Sequence, residues 1–425
     1  MARAGELPFI QGGCAVQAQI VASVDIGSSK TAVVVGQIDR EHHLHIVGAS
    51  QVPTYGIKRG GIINMDEASS TIATALERAA HLTNQRIATA YFSITGQHIE
   101  SVNHKGAIAI TPSDRDIDAT DVRRALDVAG AIPLDPSRLI MAIMPRMYTV
   151  DSQDGIKNPL GMSGHRLEVE AHIVSGASSA HRNLLKCAER AHIEVEDVVV
   201  APLASAEAVL APSERDMGTV MIDIGGGTTD IAVFADGGVW RTFMLPLGGA
   251  LITDDIAYAL RLPTPVAEAL KIMYGVSTLD RVDPKEMIEL GQFLPNCQEV
   301  VARRTLATII QPRVEEMLTL IRDEIRRSGR ERVLAGGVVL TGGTAELAGI
   351  TETAATIFNA PVRIGAPHSL YGMTDAIIKP AYATAVGLLR WHEQAIGNDL
   401  YEQPSRIARL NSVFTGWRRL FGARS

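Results

Sequence analysis

The sequence predicts an α/β protein built from two related lobes that close on a cleft. Two observations carry this. A strand–turn–strand segment occurs at residues 20–36 and again at residues 219–234, each with an aspartate just before a turn of glycine and small hydroxyl residues. The copies stand too far apart in the chain for a solenoid and fit a duplicated domain, one hairpin per lobe. A third segment, Val338-Val339-Leu340-Thr341, runs into Gly342-Gly343-Thr344 and reads as a strand ending in a tight turn.

The composition agrees with a folded chain of this size. In 425 residues, 46% are apolar and 20% charged, enough for two or more domains with buried cores. The net charge of −7 argues against a general nucleic-acid binder. Cys14, Cys187 and Cys297 are sparse, odd in number and without ligand spacing, so they read as free thiols in a reducing compartment. Residues 1–19 read as a flexible arm. They contain no apolar run before a cleavage site, and the Gly-Gly-Cys at 12–14 has no hydrophobic stretch ahead of it. No run of eighteen apolar residues occurs, so any membrane attachment would be peripheral.

Between the two hairpins, β-branched and aromatic runs predict strands over 90–94, 107–111, 138–148, 171–174 and 195–200. Helices are predicted over 118–130, with Asp118 and Thr120 as cap candidates and Gly130 as the stop, and over 180–191. Further on, helices are expected at 248–260 and 381–392 and strands at 333–340 and 362–364, with 264–330 mainly helical.

The two hairpin turns have the parts of a phosphate site. Glycine lets backbone N–H groups approach oxygen atoms without a Cβ in the way. Hydroxyls add donors, and a carboxylate at the strand end holds a magnesium ion, usually through water. Gly27, Ser28 and Ser29 follow Asp25; Gly225, Gly226, Gly227, Thr228 and Thr229 follow Asp223. Lys30 supplies a positive charge for phosphate oxygens. Neither turn ends in the Gly-Lys-Ser/Thr of a P-loop. Gly342 and Gly343 would lie against the base or the first phosphate. These readings point to ATP with Mg2+.

The order of the three elements resembles the actin, hexokinase and heat-shock ATPase superfamily, whose two lobes close on ATP and are joined by two crossing helices. The candidates here, 198–206 and 380–387, are rich in small residues. Glu268 and Lys271 have the spacing that contacts adenosine in the chaperone branch, which is also the spacing of an ordinary exposed helical pair. A narrower resemblance covers the chain from residue 21 to its end. The motifs VDIGSSK at 24–30, SITGQHI at 93–99, GIKNPLG at 155–161, MIDIGGGTTDIAV at 221–233, VVLTGG at 338–343, VRIGAP at 362–367 and ATAVGL at 383–388 are similar to those of FtsA, the bacterial cell-division actin homologues.

That resemblance implies actin-like filaments on the cytoplasmic face of the inner membrane at the division site. It also implies a subdomain inserted in lobe I and capture of the C-terminal peptide of the tubulin-like FtsZ. The matching segment, 311–316, places Arg313 as a contact for that acidic peptide and Glu316 less directly; a solvated helix face is the other reading. The insert would recruit later division proteins. In the wider superfamily a Gln or Glu before the first connecting helix orients the attacking water. Ala201 stands there, so slow ATP hydrolysis is expected, with Asp223 or Glu207 as substitutes.

The expected organisation is an arm (1–19), the lobe I core (20–85 and 169–217), the insert (86–168), the lobe II core (218–263 and 331–395), a lobe II subdomain (264–330), a polar linker (396–411) and a terminal helix (412–425). In that helix Val413, Phe414, Trp417, Leu420 and Phe421 fall on one face, with Arg418, Arg419 and Arg424 elsewhere. This is the pattern of a helix lying in an anionic membrane interface; a helix docked on the protein itself is the alternative. Each large side chain contributes roughly 1.5–3 kcal/mol when buried, and each arginine about 1 kcal/mol near an anionic leaflet. A single tail would bind weakly and an array strongly. A sugar kinase of the same superfamily would need a general-base carboxylate that nothing near the turns supplies. A pilus-assembly homologue would not need this tail.

Overall fold

The computed structural model describes residues 19–397, apart from 40–42, 113–114, 296, 328 and 330–334. The terminal helix, most of the linker and nearly all of the N-terminal arm lie outside the described residues.

Lobe I opens with β1 (Gln19–Ile26), β2 (Lys30–Ile38) and β3 (Leu44–Pro53), then a short hairpin, β4 (Ile57–Lys58) and β5 (Gly61–Ile62), α1 (Met65–Thr83) and β6 (Thr89–Ile94). An insert follows: β7 (Glu100–Ala109), α2 (Ala119–Gly130), β8 (Arg138–Val150), β9 (Gln153–Ile156) and β10 (Arg166–Ala177). The chain returns through α3 (Ser178–Arg190), β11 (Glu194–Val200), α4 (Ala201–Val209) and α5 (Pro212–Met217). Lobe II holds β12 (Thr219–Ile224), β13 (Thr229–Ala235), β14 (Gly238–Leu245), α6 (Gly249–Leu260), α7 (Thr264–Tyr274), β15 (Met287–Glu289), β16 (Val300–Ala302), α8 (Arg303–Arg327), β17 (Val338–Thr341), α9 (Ile350–Phe358) and β18 (Val362–Ile364). The described chain ends with β19 (Tyr371–Gly372) and α10 (Ala383–Gly397).

The duplication is visible in the sheets. Lobe I has strand order β11-β6-β1-β2-β3-β19 and lobe II β14-β13-β12-β17-β18. In each, the first hairpin strand pairs antiparallel with its partner and parallel with a later strand on its other side: β6 for β1, β17 for β12. The innermost pairs are Ile26 with Thr31 and Ile224 with Thr229, so the same length of chain makes both turns. Unbroken runs such as Val33-Val34-Val35 and Val220-Met221-Ile222 are fully buried, as strands covered on both faces require.

Several expectations shift. The inserted sheet, β7-β10-β8-β9, spans Glu100 to Ala177 rather than 86–168. β6 pairs with β1 and belongs to lobe I, while β10 runs twelve residues without a break. The strand expected at 107–111 starts at Glu100, because its first half alternates exposed polar residues that hide it from an apolar count. The strand expected from 333 begins at Val338. Residues 198–200 end β11, and the first connecting helix starts at Ala201. The second begins as a 3-10 turn at Pro380–Tyr382 and continues as α10. Residues 264–330 include the ribbon of β15 and β16 between their helices. Most consequentially, α10 does not complete lobe II: Ala383, Ala385, Val386, Leu388 and Leu389 are buried in the lobe I core, and β19 pairs with β3.

α4 and α10 cross at the centre of the molecule, with α4 entirely buried along its length. Their approach is so close that a Cβ on Gly387 would stand 1.8 Å from the Ala204 carbonyl oxygen. The insert also reaches lobe II. Ser101, Asn103 and His172 hydrogen-bond Thr242 or Trp240 of β14, the edge strand of that lobe's sheet.

Candidate functional site

The two turns close in the same way. The N–H of Gly27 donates to the carbonyl of Lys30 at 3.0 Å, and that of Gly225 to Thr228 at 2.9 Å. The turns then face each other across the lobe boundary. A Cβ on Gly226 would sit 1.8 Å from Ser29 Oγ, and one on Gly227 2.8 Å from Ser28 Oγ, so the backbone approach is one that only glycine allows.

Three carboxylates stand behind the turns. Asp25 ends β1 and accepts a hydrogen bond from Ser93 Oγ at 2.8 Å. Burial raises its carboxyl to about 6; Ser93 opposes that, Asp223 adds to it and Lys30 draws it down. Asp223, at the end of β12, accepts from Ser205 Oγ of α4 at 2.7 Å and from Thr384 Oγ1 of α10 at 3.1 Å. Those two hydroxyls also touch each other, at 2.9 Å. Burial raises the Asp223 carboxyl, and these donors and Lys30 hold it back. Asp230, on β13, takes a short hydrogen bond from Thr95 of lobe I. Its carboxyl is pushed up to about 8 by burial, against Thr95, with Asp223 and Asp25 adding to the rise.

Lys30 is the cation set among them. Burial lowers its ammonium's pKa, and Asp25, Asp223 and Glu346 pull it back. Its Nζ donates to the Ala381 carbonyl at 2.5 Å and lies over the Tyr382 ring, so it ties lobe I to the start of the second connecting helix. Asp25 and Asp223 both act on Lys30, whereas Asp230 is held mainly in its neutral form; two carboxylates beside one lysine leave negative charge that a divalent cation would offset. Among the described residues, no group of three or more His, Cys, Asp or Glu is arranged to hold a metal directly. Asp25 and Asp223, both acting on Lys30 at the ends of the two turns, are the residues that would hold a magnesium ion through its water shell.

The other end of the cleft is built by α6, α7 and the paired glycines. The N–H groups of Gly249 and Ala250, opening α6, donate to the carbonyls of Gly225 and Gly226 at 2.9 and 2.8 Å. Thr344 Oγ1 donates to the Gly225 carbonyl at 3.0 Å. A Cβ on Gly342 would meet Asp223 Oδ1 at 2.3 Å, whereas one on Gly343 would meet open space. Lys271 Nζ lies 2.6 Å from Glu268 and 2.9 Å from Thr253 Oγ1 and donates to the Gly249 carbonyl at 3.0 Å. Lys271 is thus tied to the first turn of α6, while the Glu268 side chain remains 43% exposed.

Ala201 opens α4 and is buried. Glu207 does not replace a water-orienting residue there: its carboxylate is paired with Arg215 at 2.7 Å, toward the far end of the same helix. Arg313 is outside the cleft, on α8. It pairs with Asp255 of α6 through Nε and Nη2 and with Glu316 through Nη1. Asp230, Ser205 and Thr384 were not singled out from the sequence. Asp230 lies inside the quoted motif but reads as one more strand residue, and the two hydroxyls reach Asp223 only through the helix crossing.

Family models for "Cell division protein FtsA" and for the "SHS2 domain inserted in FTSA" match residues 220–387 and 96–175. Cell division protein FtsA of Pseudomonas aeruginosa is 38% identical over 373 residues, covering 88% of this chain and 89% of the relative. That of Escherichia coli is 33% identical over 413 residues, covering 94% and 98%. The chain belongs to the FtsA family of cell-division proteins. The second model falls on the inserted sheet, so the four strands from Glu100 to Ala177 are the family's own insert. Solved structures show how far the FtsA-family fold extends. The type IV pilus biogenesis complex PilM–PilN is similar at a TM-score of 0.62 and 16% identity, over 87% of this chain and 98% of that one. MreB5 of Spiroplasma citri bound to ADP is similar at 0.53 and 13%, over 89% and 99%. The fold is therefore actin-like, as the repeated hairpins predicted.

Proposed function

We propose that the cleft binds ATP with Mg2+ and that ATP occupancy, more than its turnover, governs assembly of this FtsA-family chain into actin-like filaments on the cytoplasmic membrane. The observation that carries this is Asp223. It is the one carboxylate at the phosphate turns that also accepts hydrogen bonds from both connecting helices. A ligand that changes the charge around it acts directly on the crossing that sets the lobe angle. ADP in the MreB5 structure supports a nucleotide reading for the fold. Within this proposal Gly27, Ser28, Ser29, Lys30 and Gly225 to Thr229 cradle phosphates, and Asp25 and Asp223 hold the metal through water. Glu268, Lys271, Gly342 and Gly343 flank the nucleoside. The metal would neutralise phosphate charge, while the chain's own groups bind and orient the nucleotide. With Ala201 at the head of α4, turnover below about 1 s⁻¹ is expected, under the range typical of kinases.

The same reading assigns the FtsZ C-terminal peptide to α6 and α8. Arg313 uses three of its five N–H donors on Asp255 and Glu316, which leaves two for an acidic partner. Tyr258, one helical turn beyond Asp255, is 89% exposed and offers an apolar contact. Among the described residues no helix is long and apolar enough to cross a membrane; attachment is assigned to the tail at 412–425, and later division partners to the insert.

Titration of ATP with Mg2+ into the full chain and into Asp223→Asn tests the core of this. Binding that Asp223→Asn weakens tenfold or more supports it. Equal binding by both, or binding by neither, refutes it.

A further inference from the structure

The hairpin of β4 and β5 pairs Ile57 with Ile62 and Lys58 with Gly61, leaving Arg59 and Gly60 as its turn. Both have positive φ, 49° and 75°. This is the type I′ geometry, whose first position favours Asn, Asp or Gly because a larger side chain is disfavoured in the left-handed region. An arginine there is a poor choice for the turn alone.

The position of the tip explains the choice. Gly60 N–H donates to Ser28 Oγ at 3.2 Å. The Arg59 backbone nitrogen lies 3.5 Å from where a Cβ on Gly227 would stand, a point that is itself 2.8 Å from Ser28 Oγ. The hairpin therefore touches both phosphate turns at the place where they meet. Gly225, at the opposite end of its turn, contacts Thr344 and Gly249, which lead to Lys271 and Glu268. The cleft thus has a direction, from the paired glycines at one end to Arg59 at the other. Arg59 is exposed and, among the described residues, forms no salt bridge or side-chain hydrogen bond. Lys30, by contrast, already donates to Ala381.

We propose that Arg59 binds the terminal phosphate of a nucleoside triphosphate and so makes the cleft distinguish it from the diphosphate. This rests on the nucleotide reading above. A guanidinium can take two phosphate oxygens at once, and the diphosphate ends one phosphate short of it. The hairpin's other face, at Ile57, Gly61 and Ile62, lines a cavity of about 340 Å³ that also borders Ser93 and Thr95, the donors to Asp25 and Asp230.

Calorimetric titration of ATP and of ADP, each with Mg2+, into the full chain, Arg59→Asn and Arg59→Lys tests this. Asparagine suits the turn, so Arg59→Asn should melt no lower than the parent. It should lose about tenfold or more in ATP affinity and less than twofold for ADP, with Arg59→Lys in between. Arg59→Asn affecting both nucleotides equally, or neither, overturns the proposal while leaving nucleotide binding intact. A parent chain that binds neither nucleotide overturns the nucleotide reading, and this proposal with it.

Discussion

Asp223 gathers its donors from two helices that are far apart in sequence, and that arrangement has a measurable consequence. Ser205 and Thr384 stabilise the ionised carboxylate, so removing them raises a pKa that burial has already raised. A hydrogen bond to a charged group is worth about 1.5–3 kcal/mol. The Ser205→Ala/Thr384→Val chain should bind Mg2+–ATP about tenfold more weakly by calorimetry at neutral pH, and the deficit should shrink as pH rises. Asp230 makes the opposite kind of test, on the ligand-free chain. Its folded-state carboxyl is raised to about 8, with Asp25, Asp223, Thr95 and Thr228 around it. A raised carboxyl stabilises the fold below its ordinary value near 4 and loses that contribution as pH rises through about 8. Asp230→Asn keeps an acceptor for Thr95 and removes the titration. It should match the parent in melting temperature at pH 4 and melt several degrees higher at pH 8.5. Asp25 and Asp223 were legible in the sequence because their surroundings repeat. Asp230 was not, because its partner Thr95 lies in the other lobe.

At the scale of elements, the crossing of α4 and α10 links the lobes, because α10 packs on β1, β2 and β6 of lobe I while α4 also packs on β12 and β13 of lobe II. Gly387→Ala places a methyl group inside the contact distance of the Ala204 carbonyl. The helices must separate, which costs about 1–3 kcal/mol or more by chemical denaturation. Gly343→Ala is the control: its Cβ meets nothing within 4 Å, so stability should change little. The phosphate hairpins and α2, with Asp118 as its cap and a capping box to Asp121, were readable because each carries its own local signal. β7 and the ribbon of β15 and β16 were not. β7 opens on alternating exposed polar residues, and β15 and β16 are only three residues each, so pairing with neighbours rather than intrinsic pattern makes them strands. The assignment of α10 to lobe I could not be read from one chain's periodicity, since an apolar face shows that a helix packs but not against which sheet.

For the whole molecule, contacts between lobes among the described residues include the pair in which Arg363 of β18 bonds Glu214 of α5, and two further groups. One surrounds the cleft, through Thr95–Asp230 and the approach of Gly226 to Ser29. The other is the seam between the insert and β14, through Ser101, Asn103 and His172. Burial keeps His172 neutral, with its pKa lowered to about 3, so this seam should hold across the physiological range. Attachment should reside elsewhere: removing residues 412–425 should abolish sedimentation with anionic liposomes while leaving ATP affinity unchanged. The most direct measurement is electron microscopy of the full chain on an anionic lipid monolayer, with Mg2+–ATP and without nucleotide. Ordered filaments with ATP and none without it are expected; the same filaments in both would contradict control of assembly by the cleft.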